Sequence, residues 1–312
     1  MKINPKKMAP ALLVACLIAQ TAFVCTITNA QLALIWDLDG TLFRRNQKCI
    51  ASALGQWNAL RFYAKHGNKT ESIIEHTLFD ILRASDNNGS ATSDPAQTTT
   101  GQDNNKNKPA DDCNAVPCST SGAALPVAMQ KWFDGSKSGA EILAEAQEAS
   151  MHYDRFLDQG HRELMDKILL WMFRPDTFAS CMKPISKAVA LLKECAQERD
   201  SKGNCPNKLY VLSNLDAETF DALYNNKHNG SVFKYFDQGN LFISARMGDF
   251  KPRASIYKEF LKRNNLKADE CILIDNQKEN IDGALKCGIK GIFVNNGDYR
   301  HVRAELEKLG AL

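Results

Sequence analysis

The chain has little excess of either charge. Residues 1–30 hold Lys2, Lys6 and Lys7 and no acid, and the remainder balances 36 basic against 36 acidic side chains. A nucleic-acid partner needs a basic field, so nothing here supports that class. Cys-x-x-Cys is absent and the six histidines are scattered, which argues against zinc. Between Ser85 and Pro126 large apolar residues nearly vanish, and Ser, Thr, Asn, Asp, Gly and Pro dominate. Such a segment buries too little apolar surface to order itself, and reads as a loop or disordered insertion.

What is present is an ordinary globular composition, 44% hydrophobic and 24% charged over 312 residues, enough for one large domain or two smaller ones. The N-terminus resembles a secretory signal. Lys6 and Lys7 end a basic start, Met8 to Cys25 is uncharged and mostly apolar, and Thr28-Asn29-Ala30 offers small residues for a cut after Ala30. The expectation is export to a periplasm or medium, with no membrane contact after cleavage. An uncleaved segment would instead anchor the chain through residues 8–25. Eight cysteines follow Ala30, an even count that permits disulfides in an exported chain; Cys113 with Cys118 and Cys195 with Cys205 are locally plausible pairs. Cys271 and Cys287 lie in apolar segments and read as buried thiols. Asn68-Lys-Thr, Asn88-Gly-Ser and Asn229-Gly-Ser fit glycosylation acceptors.

Periodicity then divides the chain. Helical patterns cover 47–66, 70–83, 139–158 and 161–173. From Pro184 onward short apolar runs alternate with amphipathic helices: strands at Leu209–Leu212, Leu241–Ser244, Cys271–Ile274 and Gly291–Val294, with helices at 184–198, 217–225, 253–264, 278–287 and about 299–309. That alternation predicts a parallel sheet covered on both faces. An opening strand at 32–36 belongs to the same sheet, which makes residues 44–180 a mostly helical insertion.

The opening strand runs into Asp37-Leu38-Asp39-Gly40-Thr41. Residues i and i+2 of a strand share a face, so Asp37 and Asp39 point the same way. Two neighbouring carboxylates suit a hard cation beside an attacking group. In open α/β sheets ligands bind where strands end. Ser213-Asn214, Lys251-Pro252 and Asp275-Asn276 all fall at or near such ends. Together they offer carboxylates, a hydroxyl, an amide and an ammonium, a set able to hold a phosphate with a divalent cation.

These four segments, in this order, resemble the four motifs of the haloacid dehalogenase superfamily. The resemblance implies a Rossmann-like three-layer core, residues 31–43 and 181–312, with an inserted helical cap, residues 44–180, holding the 85–126 insertion. It also implies a magnesium-dependent phosphomonoester hydrolase acting on a small phosphorylated metabolite. Asp37 would be the nucleophile and Asp39 the acid and base. Lys251 would neutralise charge, and Ser213 and Asn214, with Gly40 and Thr41, would meet the phosphate. Magnesium would be held by Asp37, Asp39, Asp275 and Asn276. Asn276 departs from the pattern, since many relatives carry a second acid there. The other readings are a catalytically weak binding protein of the same fold, and a different hydrolase of the superfamily such as a dehalogenase. Arg44 and Arg45 read as a solvated pair, and Asn280 and Asp282 as helix-capping or solvent-facing.

Overall fold

The structure is a computed structural model that describes residues 31–86, 124–197 and 207–312. The signal-like N-terminus, Asn88, Cys113, Cys118 and Cys205, and most of the low-apolar insertion lie outside the described residues.

In chain order the strands are β1 (Leu32–Trp36), β2 (Phe43–Arg45), β3 (Met182–Pro184), β4 (Asn207–Ser213), β5 (Leu241–Ile243), β6 (Cys271–Asp275) and β7 (Lys290–Phe293). The helices between β2 and β3 are α1 (Gln47–Leu54), α2 (Gln56–His66), α3 (Thr70–Asp86), α4 (Val127–Phe133), α5 (Gly139–His152), α6 (Gln159–Phe173) and α7 (Pro175–Ser180). After β3 come α8 (Ser186–Gln197), α9 (Ala217–Asn225), α10 (Ser244–Met247), α11 (Ala254–Asn264), α12 (Lys278–Lys286) and α13 (Tyr299–Lys308). Among the described residues no helix is long and apolar enough to cross a membrane.

Five strands form one parallel sheet in the order β5-β4-β1-β6-β7. The fold is the Rossmann-like α/β sandwich that the alternation predicts. β1 shows why. Its side chains alternate, so Ala33 and Ile35 join an apolar cluster with Ile256, Tyr257 and Phe260 of α11 and Ala284 of α12. Leu34 and Trp36 face the other way, against Ala188 and Leu192 of α8 and Val302 and Leu306 of α13. A strand buried on both faces can be apolar throughout, which is what Leu-Ala-Leu-Ile-Trp provides. From β1 the chain first builds outward through β4 and β5, then crosses to β6 and β7 on the other side. β1 is therefore the switch point, and the crevice at its carboxyl end is where such sheets hold ligands.

The helices between β2 and β3 gather around their own cluster, with Ile81, Leu82, Trp132, Ile142, Met165 and Leu169 at its centre. The two short strands that bracket them pair antiparallel, so the chain leaves and re-enters the core at one place. Neither strand is legible in periodicity, because three residues are too few to show a period. The predicted helix over 47–66 is two helices, broken where Gly55 takes φ +75°, a left-handed value that favours glycine.

A disulfide joins Cys49 of α1 to Cys181, which precedes β3, with Cα atoms 5.3 Å apart and 132 residues between them in sequence. It was not among the predicted pairs, which were local. Cys195 is buried in the core, and its predicted partner Cys205 lies outside the described residues. Cys271 is a fully buried free thiol, pushed up to about 12 chiefly by burial; Cys287 is only half-buried, a correction to the buried reading. Closing so long a loop removes much entropy from the unfolded chain. Cys49→Ser is expected to cost about 3 kcal/mol of stability, read as a lower urea midpoint under oxidising conditions. An unchanged midpoint would mean that the bridge constrains nothing. Asn229 is corrected as well. It is buried, and its Nδ2 donates to Ala179 O and Met182 O, so it fastens the re-entry segment and presents no amide to a glycosylating enzyme.

Candidate active site

Ser213 and Asp275 end β4 and β6, Asp37 follows β1 directly, and Lys251 lies in the loop between α10 and α11. Asp37 continues β1, and its backbone N–H donates to Ile274 O of β6 at 3.0 Å. Its side chain is nearly buried, and Oδ1 accepts two hydrogen bonds, from Ser213 Oγ and from Lys251 Nζ, both at 2.9 Å. No donor among the described residues meets Oδ2. The carboxylate is thus held by one oxygen and left with the other unengaged.

Lys251 is fully buried, and all three of its N–H groups are used. Besides Asp37 it reaches Asp275 Oδ2 and Leu212 O, each at 2.7 Å. Burial would lower its pKa, but Asp275 and Asp37 outweigh that and hold the ammonium above its ordinary range. The loop is fixed by a reciprocal pair: Asn214 Nδ2 donates to Lys251 O and Lys251 N–H donates to Asn214 Oδ1, both at 2.8 Å. The Asn214 amide is therefore committed to placing Lys251.

Asp275, expected at the metal, is fully buried with both oxygens engaged. Oδ1 accepts from Gln277 N–H at 2.8 Å, and Oδ2 from Lys251 and from Asn280 Nδ2 at 3.0 Å. Asn280 is corrected, since it is buried against Asp275 and borders the crevice instead of facing solvent. The only signal for it was its place in the first turn of the helix after Asp275.

Gly40 and Thr41, expected at the phosphate, build the turn instead. Gly40 N–H donates to Phe43 O at 2.7 Å with φ +86°. A Cβ on Gly40 would lie 2.2 Å from Asn276 Nδ2, so only glycine lets the two segments meet. The buried Thr41 hydroxyl donates to Asn276 Oδ1 and accepts from Asn276 N–H, both at 3.1 Å. Thr41 thereby ties the first motif to the fourth.

Asp39 is partly exposed and borders the crevice beside Asp37. Arg45, read from sequence as one of a solvated pair, donates from Nε to Asp39 Oδ2 at 3.1 Å and again from Nη2. A residue of β2 therefore holds the second carboxylate.

The charges do not balance. Asp37 and Asp275 offer two buried carboxylates and Lys251 one ammonium. The Asp37 carboxyl is pushed up to about 6, first by burial and then by Asp275, with Lys251 and Ser213 pulling the other way. A cation beside the Asp37 carboxylate would supply the missing charge. The Asp37 carboxylate, the Asp39 carbonyl and the Asn276 amide oxygen are hard donors, and one carboxylate with neutral oxygens is the kind of sparse set magnesium accepts while keeping water. Among the described residues no group of three acids, histidines or cysteines could hold a metal ion by itself, so a magnesium ion here would share its ligands with water and substrate.

The arrangement defines a class: an α/β core with a carboxylate, an ammonium and a hydroxyl converging at the switch point of a parallel sheet. No protein-family model matches the chain. A sesquiterpene phosphatase, astK of Aspergillus oryzae, is 26% identical over 124 residues, 40% of this chain and 56% of that protein, so the chain spans about half the length of the curated relative it matches. Among solved structures, a HAD-family enzyme from Bacteroides thetaiotaomicron has TM-score 0.48 and 14% identity, covering 88% of this chain and 98% of that one. An L-2-haloacid dehalogenase from Xanthobacter autotrophicus has TM-score 0.43 and 14% identity, covering 88% and 82%. The chain is similar to haloacid dehalogenase family enzymes, as its four motifs imply.

Proposed function

We propose that this chain is a phosphohydrolase of the haloacid dehalogenase superfamily that cleaves phosphate monoesters of small metabolites. The observation that carries the reading is the division of labour at Asp37: Oδ1 is pinned by Ser213 and Lys251, and Oδ2 is left to react. Oδ2 attacks phosphorus, the bond from phosphorus to the ester oxygen breaks, and an aspartyl-phosphate forms. Asp39, positioned at the crevice by Arg45, gives its proton to the departing alcohol oxygen. It then takes a proton from water, which attacks phosphorus and releases inorganic phosphate and the Asp37 carboxylate. Lys251 offsets negative charge at the nucleophile throughout. Asp37, Asp39 and Asn276 would hold magnesium, which when bound would offset phosphate charge. The helices between β2 and β3 act as a cap over the crevice that keeps bulk water from the first step.

A dehalogenase is disfavoured because alkyl-halide displacement needs no acid where Asp39 stands. The relative named a sesquiterpene phosphatase supports phosphate as the group removed. Export follows from the signal-like N-terminus, and the Cys49–Cys181 bridge supports an oxidising compartment. The experiment is hydrolysis of an aryl phosphate with magnesium and with EDTA. Chelation is expected to lower kcat by on the order of 10³-fold, reversed by added magnesium. Equal rates with and without EDTA would refute the metal's part.

A further inference from the structure

The substrate's alcohol is constrained by what lines the crevice above Asp37. The space measures about 180 Å³. Pockets that bury drug-sized ligands start near 300 Å³, so this one holds a compact ester. Every described residue between β2 and β3 that lines it is apolar. Met129, Trp132 and Phe133 come from α4, Trp171 and Met172 from α6, and Phe178 from α7. Trp132 and Phe133 stack with ring centres 5.5 Å apart, and Trp171 and Phe178 pack tilted at 5.2 Å, which gives an aromatic roof.

Most of the polar side chains that border the same space are engaged within the protein. Arg45 holds Asp39, Lys251 holds Asp37, Asn214 holds the Lys251 backbone, and Asn280 holds Asp275 and Gln277. Glu279 is exposed at the rim. A sugar, polyol or nucleoside would set several hydroxyls against this apolar roof, more than the unpaired Asn280 Oδ1 and the Gln277 amide could receive, and each buried unpaired hydroxyl lowers affinity. A second acidic group would meet Glu279.

We propose that the alcohol of the substrate is small, uncharged and apolar: a short branched aliphatic or single-ring alcohol, esterified to phosphate. This rests on the phosphomonoesterase reading above. The test is steady-state release of inorganic phosphate by the full chain with magnesium from four primary esters, so that leaving-group chemistry is comparable. They are 3-methylbutyl phosphate, benzyl phosphate, glycerol 1-phosphate and glucose 6-phosphate. The first two are expected to exceed the others in kcat/KM by about 100-fold, since mismatched polarity in a buried pocket discriminates on that scale. Met172→Gln, at a half-buried position, should lower kcat/KM for benzyl phosphate by about tenfold more than for glycerol 1-phosphate, with the folded state checked by thermal unfolding. Comparable or better turnover of the polar esters, or a uniform loss in Met172→Gln, would overturn the apolar assignment and leave the phosphatase reading intact. No phosphate from any of the four would overturn the phosphatase reading and this inference with it.

Discussion

Asp37→Asn is expected to remove hydrolysis of phosphate monoesters, with kcat falling on the order of 10⁴-fold or more, because the nucleophile itself is lost. The fold should not follow. Asn keeps an oxygen for the hydrogen bonds from Ser213 and Lys251 and removes a charge that is costly where it sits. The sign can be followed through pH. The folded Asp37 carboxyl titrates at about 6 against an ordinary carboxylate value near 4, so the stability its protonated form confers is complete below the unfolded pKa and is lost as pH rises through 6. In EDTA at pH 7.5 the variant should therefore melt no lower than the parent. At pH 4, where Asp37 is largely protonated, any advantage should shrink. Activity retained in Asp37→Asn would remove the nucleophile from the mechanism. A variant that fails to fold at pH 7.5 would show that the charge is needed for structure.

Lys251→Met should do the opposite and damage the fold along with the chemistry. The ammonium lies between two buried carboxylates, 2.9 Å from Asp37 and 2.7 Å from Asp275. Taking one partner out of a buried ion pair costs about 3–5 kcal/mol, because the charge left behind is neither solvated nor paired. Here two carboxylates are left facing each other. The loss should show as a lower urea midpoint at pH 7.5 and shrink toward pH 4, as Asp37 protonates. Lys251→Arg is not a conservative substitute: no part of the Lys251 side chain reaches solvent, and a planar guanidinium is larger than the space of one ammonium. Should Lys251→Met unfold at the parent's urea midpoint, the triad would not be holding the strand ends together.

Much of the core was legible because burial on both faces leaves a plain mark. Runs such as Leu209–Leu212 and Cys271–Ile274 are apolar without alternation, and only a sheet covered on both faces calls for that. Ser213, Lys251 and Asp275 were legible for a related reason, as polar residues set where apolar strands stop. Arg45 and Asn280 were not. Each reads alone as a surface residue, and each takes its role from a partner that folding brings beside it. The same holds for Thr41, whose hydroxyl meets Asn276 across 235 positions of sequence. Cys49 and Cys181 are separated by 132, and no local spacing links them.

The sequence by itself determined the alternation of strands and helices in the core, the two-sided sheet and the carboxylate at the end of its first strand. These follow from side-chain period and apolar run length, which are local properties. Only the tertiary structure decided how the polar residues divide their work: Asp275 to Lys251, Thr41 to Asn276, Arg45 to Asp39, with one oxygen of Asp37 left over. A hydrogen bond is a contact of about 3 Å, and which donor lies within that distance depends on how distant segments pack.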